Sequence, residues 1–154
     1  MRFKMNDINV KIKLSRGMSL PKYATSGSAA LDLCAAIDEG TVLVIHPGET
    51  ISVPTGISIS PEDSGVVAVV AARSGLGIKK GISLGNGIGI IDSDYRGEIS
   101  VGLYNRSNCD FTVERGDRIA QLMFMPVYAA QLIECDELDE TARGAGGFGS
   151  TGIK

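Results

Sequence analysis

Residues 87–100 read "GIGIIDSDYRGEIS", an apolar run that ends abruptly in two acids. The apolar arm "GIGII" (87–91) and the alternating arm "EISVGL" (98–103) flank a connection rich in Asp and Gly. Two β-like segments around a short turn-forming connection predict a β-hairpin. Asp92 and Asp94 then lie in the connection, where a carboxylate avoids the cost of burial. With the short strands around it, this stretch favours an all-β fold.

Strand-like segments continue on both sides of the predicted hairpin. "INVKIKL" (8–14) alternates polar and apolar residues, and "TVLVI", "ISV" and "GISIS" follow between Gly, Pro and Ser punctuation. "GVVAVVAA" (65–72) and "RIAQLMFMPV" (118–127) are apolar on both faces, which is typical of central strands, and one of them is a candidate subunit contact. Helical signals are weak, limited to "RSGLGIKKG" (73–81) and "DELDETAR" (136–143). The predicted fold class is a distorted jelly roll or β-sandwich.

Length and composition indicate one domain that associates with other copies. The chain has 154 residues, enough for a single core. Hydrophobic residues make up 44% of it, which is high for so small a protein, so we expect a partner subunit to cover some apolar surface. From Thr141 the sequence changes to "TARGAGGFGSTGIK", which offers little that can pack. We therefore predict a core of residues 1–140 and a mobile, glycine-rich tail of residues 141–154.

Several classes of function are disfavoured. The net charge is -3 and no Lys/Arg-rich run occurs, which argues against a nucleic-acid partner. No stretch reaches membrane-spanning length or resembles a signal peptide, so we expect no membrane partner. Three cysteines without a C-x-x-C pair indicate neither a zinc site nor a disulfide framework and favour the reduced cytoplasm. The single histidine, His46, lies in a predicted surface turn, so general base chemistry falls to a carboxylate.

Three familiar motifs fail on their spacing. "DSDYRG" begins like an EF-hand loop, but the twelfth position is Leu103 where a bidentate Glu is required. "GAGGFG" (144–149) matches a dinucleotide fingerprint, yet too few residues follow it to form a helix and a second strand. "GLGIKKG" (75–81) lacks the ending of a P-loop. Calcium binding, a Rossmann site and a P-loop are therefore rejected.

Five other stretches combine glycine with a functional polar residue. In order along the chain they are "SAALDLCA" (28–35), "ARSGLG" (72–77), "GNGIGIIDSDYRGEI" (85–99), "GDRIAQL" (116–122) and "RGAGGFGSTG" (143–152). In order, spacing and content they resemble the five motifs of the homotrimeric dUTPase family, of bacterial type. Ala30 and Ala72 stand where other members commonly carry Gly and Pro. The resemblance implies a dUTP diphosphatase of jelly-roll fold that forms dUMP and pyrophosphate, feeds dTMP synthesis and limits uracil in DNA, with active sites at the subunit interfaces of a homotrimer.

The resemblance implies that residues 85–100 bind uracil and supply the base. Asp92 matches the carboxylate that takes a proton from the water attacking the α-phosphorus, while Asp94 braces the turn. Tyr95 matches the ring that packs on the deoxyribose and excludes a 2'-hydroxyl. The uracil contacts, mostly from the backbone, fall to Asn86, Ile90, Ile91 and Ser100. If the turn centres near Asp94, Ser100 pairs opposite Ile90.

The resemblance also implies a phosphate site, a metal and a lid. Arg73, Ser74 and Gly75 would bind phosphate for a neighbouring subunit, with Gln121 on the phosphate chain. Asp32 would contact Mg²⁺ through water, and Arg118 would form a structural ion pair. The tail residues would close over the substrate as a lid: Arg143 on the γ-phosphate, Phe148 on the base, and Gly149, Ser150 and Thr151 beside them.

Simpler interpretations stay open for each motif. Asp92 and Asp94 are also ordinary turn acids, Asp32 an edge-strand acid, and the tail a disordered end. Two rival functions remain as well. A dCTP deaminase of related fold would carry "RSS" where this chain has residues 73–75, and a nucleotide-sensing regulator would bind dUTP without turnover.

Overall fold

The computed structural model describes residues 7–147, which form eleven strands and one short helix. The strands are β1 (Val10–Leu14), β2 (Leu31–Cys34), β3 (Val42–Ile45), β4 (Thr50–Pro54), β5 (Ile57–Pro61), β6 (Val66–Ala72), β7 (Ile82–Leu84), β8 (Gly89–Ile91), β9 (Ser100–Asn105), β10 (Phe111–Glu114) and β11 (Arg118–Pro126). The helix, α1, spans Ser74–Lys79. The all-β prediction is confirmed.

Two larger sheets enclose the core. One has the strand order β2-β11-β6-β8 and the other β4-β9-β7, while β1 pairs with β5 and β3 with β10. Alternate residues of the first sheet, such as Leu33, Val70 and Leu122, are buried, and they face Val101 and Leu103 of the second. As predicted, the apolar strands β6 and β11 are both internal to their sheet. The fold is a β-sandwich of the predicted class.

The predicted hairpin is wrong in its pairing. β8 pairs with β6, where Ile90 lies opposite Val69. β9 instead pairs with β4 and β7, so Ser100 lies opposite Pro54 and not opposite Ile90. A turn signal specifies that the chain reverses, but it does not specify that the two arms pair with each other. The two arms join different sheets, and a gap opens between them.

The weak helical signals have opposite outcomes. α1 begins at Ser74, within the segment predicted to hold one turn. Residues 136–143 form no helix, because a short segment without a sustained apolar face has nothing to pack against. No helix within residues 7–147 has the length and hydropathy of a membrane span.

The chain leaves the core at the end of β11. Every residue from Met125 to Gly147 is exposed, and Tyr128, Leu132, Ile133 and Leu138 are large apolar side chains among them. Their exposure agrees with the expectation that another subunit covers apolar surface. The predicted functional division at residue 140 stays a prediction.

Candidate functional site

The gap between β8 and β9 forms a small cavity of about 120 Å³. Four predicted site residues line it together: Asn86, Ile90, Ile91 and Ser100. The other lining residues were not predicted, and all of them are apolar or glycine: Val70, Leu84, Gly89, Val101 and Gly102. At Gly89 a Cβ would lie 3.0 Å from the Cβ of Val70, so glycine allows β8 and β6 to approach closely. The cavity walls are largely backbone and apolar side chains, which suits a flat polar ring.

Residues 92–98, which we call the acidic turn, come directly after β8. Hydrogen bonds to the carbonyl groups of the turn itself hold it in shape. The carbonyl of Asp92 accepts the Tyr95 N–H at 3.1 Å. Arg96 Nη1 donates to the carbonyls of Ser93 and Tyr95, at 2.7 and 3.0 Å. Within residues 7–147 no donor bonds the carboxylate of Asp92 or Asp94. The prediction that Asp94 braces the turn is therefore wrong, because the Arg96 guanidinium performs that role.

Asp92 itself is free to meet a ligand. Its side chain is exposed and lines a shallow recess of about 510 Å³ together with Ile90 and Val127. Ile90 and Ile91 also line the small cavity, so Asp92 directly follows the lining of that cavity along the chain. An exposed carboxylate that accepts no hydrogen bond within residues 7–147 is a chemically reasonable proton acceptor.

A second group of site residues lies on the outer face of the four-stranded sheet. The strand register places Asp32 opposite Gln121, and Gln121 opposite Ala71. Arg73, two residues beyond Ala71, extends on the same face and donates from Nε to Asp32 Oδ1 at 3.0 Å. Arg118 Nη1 donates to Asp32 Oδ2 at 3.2 Å. We call Asp32, Arg73, Arg118 and Gln121 the arginine cluster.

The arginine cluster carries a net positive charge on a half-buried surface. Asp32 is 19% exposed and Arg73 25% exposed, while Arg118 reaches 57%. One carboxylate shared by two guanidinium groups leaves one positive charge in excess, which favours an anion beside Arg73. Arg73 Nη1 is further held by the carbonyl of Arg118 at 3.2 Å. The predicted structural ion pair of Arg118 is confirmed, and its partner is Asp32.

Asp32 fits only an indirect metal role. Both of its oxygens accept guanidinium hydrogens, and within residues 7–147 no group of three His, Cys, Asp or Glu is placed to hold a metal ion. Mg²⁺ in nucleotide sites keeps several waters and is held mainly by phosphate oxygens with one or two carboxylates. A single engaged carboxylate beside an anion-attracting arginine fits that kind of contact through water.

Ser74 and Gly75 follow Arg73 directly and are exposed at the start of α1. A Cβ at Gly75 would meet nothing within 4 Å, so this backbone is open to an approaching group. Arg106 fixes the segment from behind, because its Nη2 donates to the carbonyl of Gly77 at 2.6 Å. The three predicted phosphate-binding residues 73–75 therefore form one continuous surface beside the arginine cluster.

The structure separates the predicted base from the predicted phosphate site. Asp92 lies one residue beyond the last β8–β6 pair, Ile91 with Ala68, at the end of β6 nearest Val66. Arg73 lies beyond the opposite end of β6. Six residues of extended strand correspond to about 20 Å. Within one chain, Asp92 and Arg73 do not reach a common phosphorus atom.

The tail is described only in part. Arg143 lies in an exposed turn in which its Nε donates to the carbonyl of Gly146 at 3.2 Å. Within residues 7–147, Arg143 bonds neither a residue that lines the small cavity nor a residue of the arginine cluster. Four other predicted lid residues lie outside the described residues: Phe148, Gly149, Ser150 and Thr151.

Burial and hydrogen bonds shift the pKa values of several side chains. Burial raises the pKa of the Cys34 thiol, next to the arginine cluster. The hydrogen bond from Arg16 lowers the pKa of Glu98, at the end of the acidic turn. His46 is exposed, as predicted, and its bond to Asp110 at 2.8 Å raises its pKa.

A β-sandwich that carries a ring-sized cavity and a separate anion-attracting surface belongs to the all-β class and suits a ligand that combines a flat ring with negative charge. The family model described as dUTPase matches residues 16–152, so the chain belongs to the dUTPase family. The predicted resemblance is confirmed.

Similar proteins agree on sequence and on fold. A deoxyuridine 5'-triphosphate nucleotidohydrolase of Desulfitobacterium hafniense is 50% identical over 97% of this chain and 99% of its own length. One of Shewanella baltica is 56% identical over 88% of each chain. Among solved structures, a Staphylococcus bacteriophage 80alpha dUTPase with dUpNHpp superposes with a TM-score of 0.83 at 24% sequence identity. The superposition covers 94% of this chain and 99% of the phage chain, and it supports the fold. A phage phi11 dUTPase of TM-score 0.75 and 20% identity, covering 86% of this chain and 99% of its own, is described with a structural Mg(II) ion.

Proposed function

We propose that the protein hydrolyses dUTP to dUMP and pyrophosphate. Uracil occupies the small cavity lined by Asn86, Ile90, Ile91 and Ser100, where backbone groups satisfy the base edge. Tyr95 packs against the deoxyribose. The observation that carries the proposal is the exposed Asp92 carboxylate, which accepts no hydrogen bond within residues 7–147 and directly follows the lining of this ring-sized cavity, in a chain of the dUTPase family.

Asp92 acts as the general base. A water molecule attacks the α-phosphorus, its proton passes to the Asp92 carboxylate, and the bond between the α-phosphorus and the bridging oxygen breaks to release pyrophosphate. Such base catalysis contributes about 10²- to 10⁴-fold. The rest of the rate enhancement comes from positioning and charge neutralisation, as is general for phosphoryl transfer.

Arg73, Ser74, Gly75 and Gln121 bind the phosphate chain from another subunit. The separation of about 20 Å between Asp92 and Arg73 along β6 supports a site shared between chains. A homotrimer provides this arrangement. Asp32 would hold Mg²⁺ through a water molecule, and the ion would supply positive charge to neutralise the triphosphate. The free thiols of Cys34, Cys109 and Cys135 are consistent with a cytoplasmic setting.

The tail from Thr141 onward serves as a lid over a site in the trimer. Arg143 has no partner outside its own turn in the described chain, so its guanidinium is available for the γ-phosphate. Phe148, Gly149, Ser150 and Thr151 would follow it onto the base and the phosphates. Closure of such a segment excludes bulk water and completes the site.

A product assay separates the proposal from its two rivals. The protein is mixed with Mg²⁺ and dUTP, dCTP or dTTP, and pyrophosphate and ammonia are measured. Pyrophosphate from dUTP alone is the expected result. Ammonia from dCTP would identify a deaminase, and tight dUTP binding without product would identify a nucleotide sensor.

A mixing experiment tests the shared site. Asp92→Asn and Arg73→Ala are each purified, then unfolded and refolded together in equal amounts. Random mixing in a trimer gives about a quarter of the sites one intact copy of each residue, so about a quarter of wild-type activity returns. The matched control mixes Asp92→Asn with Tyr95→Ala. It recovers no activity, because one subunit supplies both residues to a given site and every subunit lacks one of them. No recovery in the first mixture would place the whole site in one chain.

A further inference from the structure

The side chain of Tyr95 is held by two residues further along the acidic turn, Gly97 and Glu98. Its hydroxyl donates to the carbonyl of Glu98 at 3.2 Å. Its ring lies against the Cα of Gly97, where any Cβ would collide with the ring. Tyr95 is nevertheless 44% exposed, so no core packing fixes the ring. Its position therefore depends on where residues 97 and 98 are placed.

Glu98 is placed by an anchor outside the acidic turn. Its Oε1 accepts the Gly56 N–H at 2.7 Å, and Arg16 Nε lies 2.9 and 3.2 Å from its two oxygens. The side chain of Glu98 is only 27% exposed. These bonds bind the end of the acidic turn to the corner between β4 and β5.

The corner between β4 and β5 has a backbone conformation that suits the contact with Glu98. Gly56 has a φ of +69°, and a Cβ there would lie 2.7 Å from Met18 Cγ and 2.9 Å from the Ser15 carbonyl oxygen. Only glycine fits that position, so its N–H is rigidly aimed at Glu98. Arg16 has a φ of 51°, a strained value for a residue with a side chain. Its carbonyl accepts a hydrogen bond from Arg115, which also donates to the Ile37 carbonyl at 2.7 Å.

We propose that Arg16 and Glu98 are positioning residues that hold Tyr95 against the sugar and thereby set the preference for deoxyribose over ribose. This inference rests on the proposed function, because it assigns the sugar contact to Tyr95. Neither residue touches the substrate. They act through the Glu98 carbonyl and the Gly97 backbone, which together fix the Tyr95 ring.

A purely stabilising role makes a different prediction. If this partly exposed pair only stabilised the fold, its loss would lower stability without changing the selectivity between the two sugars. A displaced Tyr95 ring would instead admit a 2'-hydroxyl. The preference for dUTP over UTP, taken as the ratio of their kcat/KM values, distinguishes the two roles.

The test compares four variants with the wild-type protein. Glu98→Ala and Arg16→Gly each lower the dUTP preference by about tenfold, a fraction of the selectivity that a pocket gains by excluding one hydroxyl. Glycine at position 16 accepts the positive φ, so backbone strain does not contribute to its effect. Glu98→Gln keeps an acceptor for the Gly56 N–H and Arg16→Lys keeps the charge without the planar fork, so both have intermediate effects.

Glu62→Ala is the matched control. It removes an exposed carboxylate that pairs with Lys11 at 3.5 Å, and it leaves the preference unchanged. The double variant Arg16→Gly/Glu98→Ala loses no more selectivity than Glu98→Ala alone, because both residues act through one contact. Circular dichroism and thermal unfolding establish that each variant is folded. If Glu98→Ala does not fold, Glu98→Gln takes its place in the comparison.

An unchanged dUTP preference in the folded variants overturns the inference. A wild-type protein that releases no pyrophosphate from dUTP overturns the proposed function instead. In that case calorimetric binding of dUMP against UMP measures the same sugar preference without turnover. Equal loss of dUMP and UMP affinity in Glu98→Ala would then refute the positioning role.

Discussion

The small cavity and the arginine cluster represent two ways of preparing a binding site. The cavity is bounded by residues of the buried core, such as Val101, and the adjoining Ile99 is 1% exposed. The arginine cluster is built from half-exposed side chains that bond one another around Asp32. The first has its shape fixed by folding, whereas the second has its charge fixed by an internal ion pair. A neutral base is suited to the former and a flexible phosphate chain to the latter.

Removing the carboxylate of Asp92, which directly follows the cavity lining along the chain, should produce the largest effect. Asp92→Asn keeps the shape of the acidic turn, since no bond to the Asp92 carboxylate supports that turn in the described residues. We expect kcat to fall by about 10²- to 10⁴-fold with little change in KM, because a proton acceptor is lost and binding groups are not. Steady-state kinetics with dUTP measure both constants. A rate near that of the wild type would remove Asp92 from the mechanism.

Deleting residues 143–154 should remove the lid that is proposed to close over the substrate. The core and its oligomer should remain, because β11 ends at Pro126 and the later residues contribute no buried side chain in the described chain. Turnover should fall on the order of a hundredfold, the size expected when reacting groups are no longer held in place. Size-exclusion chromatography and a pyrophosphate assay measure the two outcomes. Full activity in the shortened chain would leave the tail without a catalytic role.

The arginine cluster should respond unequally to loss of its two arginines. Arg73→Ala removes a half-buried guanidinium with free capacity toward an anion, and we expect kcat/KM to fall about 10- to 100-fold, as for a charged hydrogen bond. Arg118→Ala removes an exposed partner of Asp32, and we expect less than about a fivefold loss. The pair serves as its own control. Equal losses would mean that Arg118 also binds phosphate.

The small cavity with its acidic turn and the arginine cluster also differ in how far the sequence predicts them. Local patterns identified the strands, the turn after Ile91 and the outward face of Asp32, because side chains alternate along a strand. They did not predict that β8 and β9 join different sheets, since pairing depends on partners far along the chain. They also missed the ion pair from Arg73 to Asp32, which joins residues 41 positions apart. Residues 97 and 98 gave no signal that they fix Tyr95.

The smallest effect concerns the ion pair between Arg16 and Glu98 and its dependence on pH. Arg16 lowers the pKa of Glu98 in the folded protein, so folding is stabilised by the ionised carboxylate. That contribution is fully present above the ordinary pKa of a glutamate and is lost as the pH falls through the lowered value. We expect Glu98→Gln to be less stable than wild type by no more than about 1 kcal/mol near neutral pH.

The difference between the two proteins should shrink as the pH falls below about 4.5, the ordinary value for this group, because wild type then loses the charge that the variant never had. Urea unfolding from neutral pH down to acid pH measures it, with Glu62→Ala as the control for an exposed pair. A difference that stays constant with pH would show that it does not come from the charge of Glu98. If the stability difference vanishes at acid pH, it comes from the charge of Glu98. The acidic turn beside the small cavity would then rely on an ion pair, as the arginine cluster does.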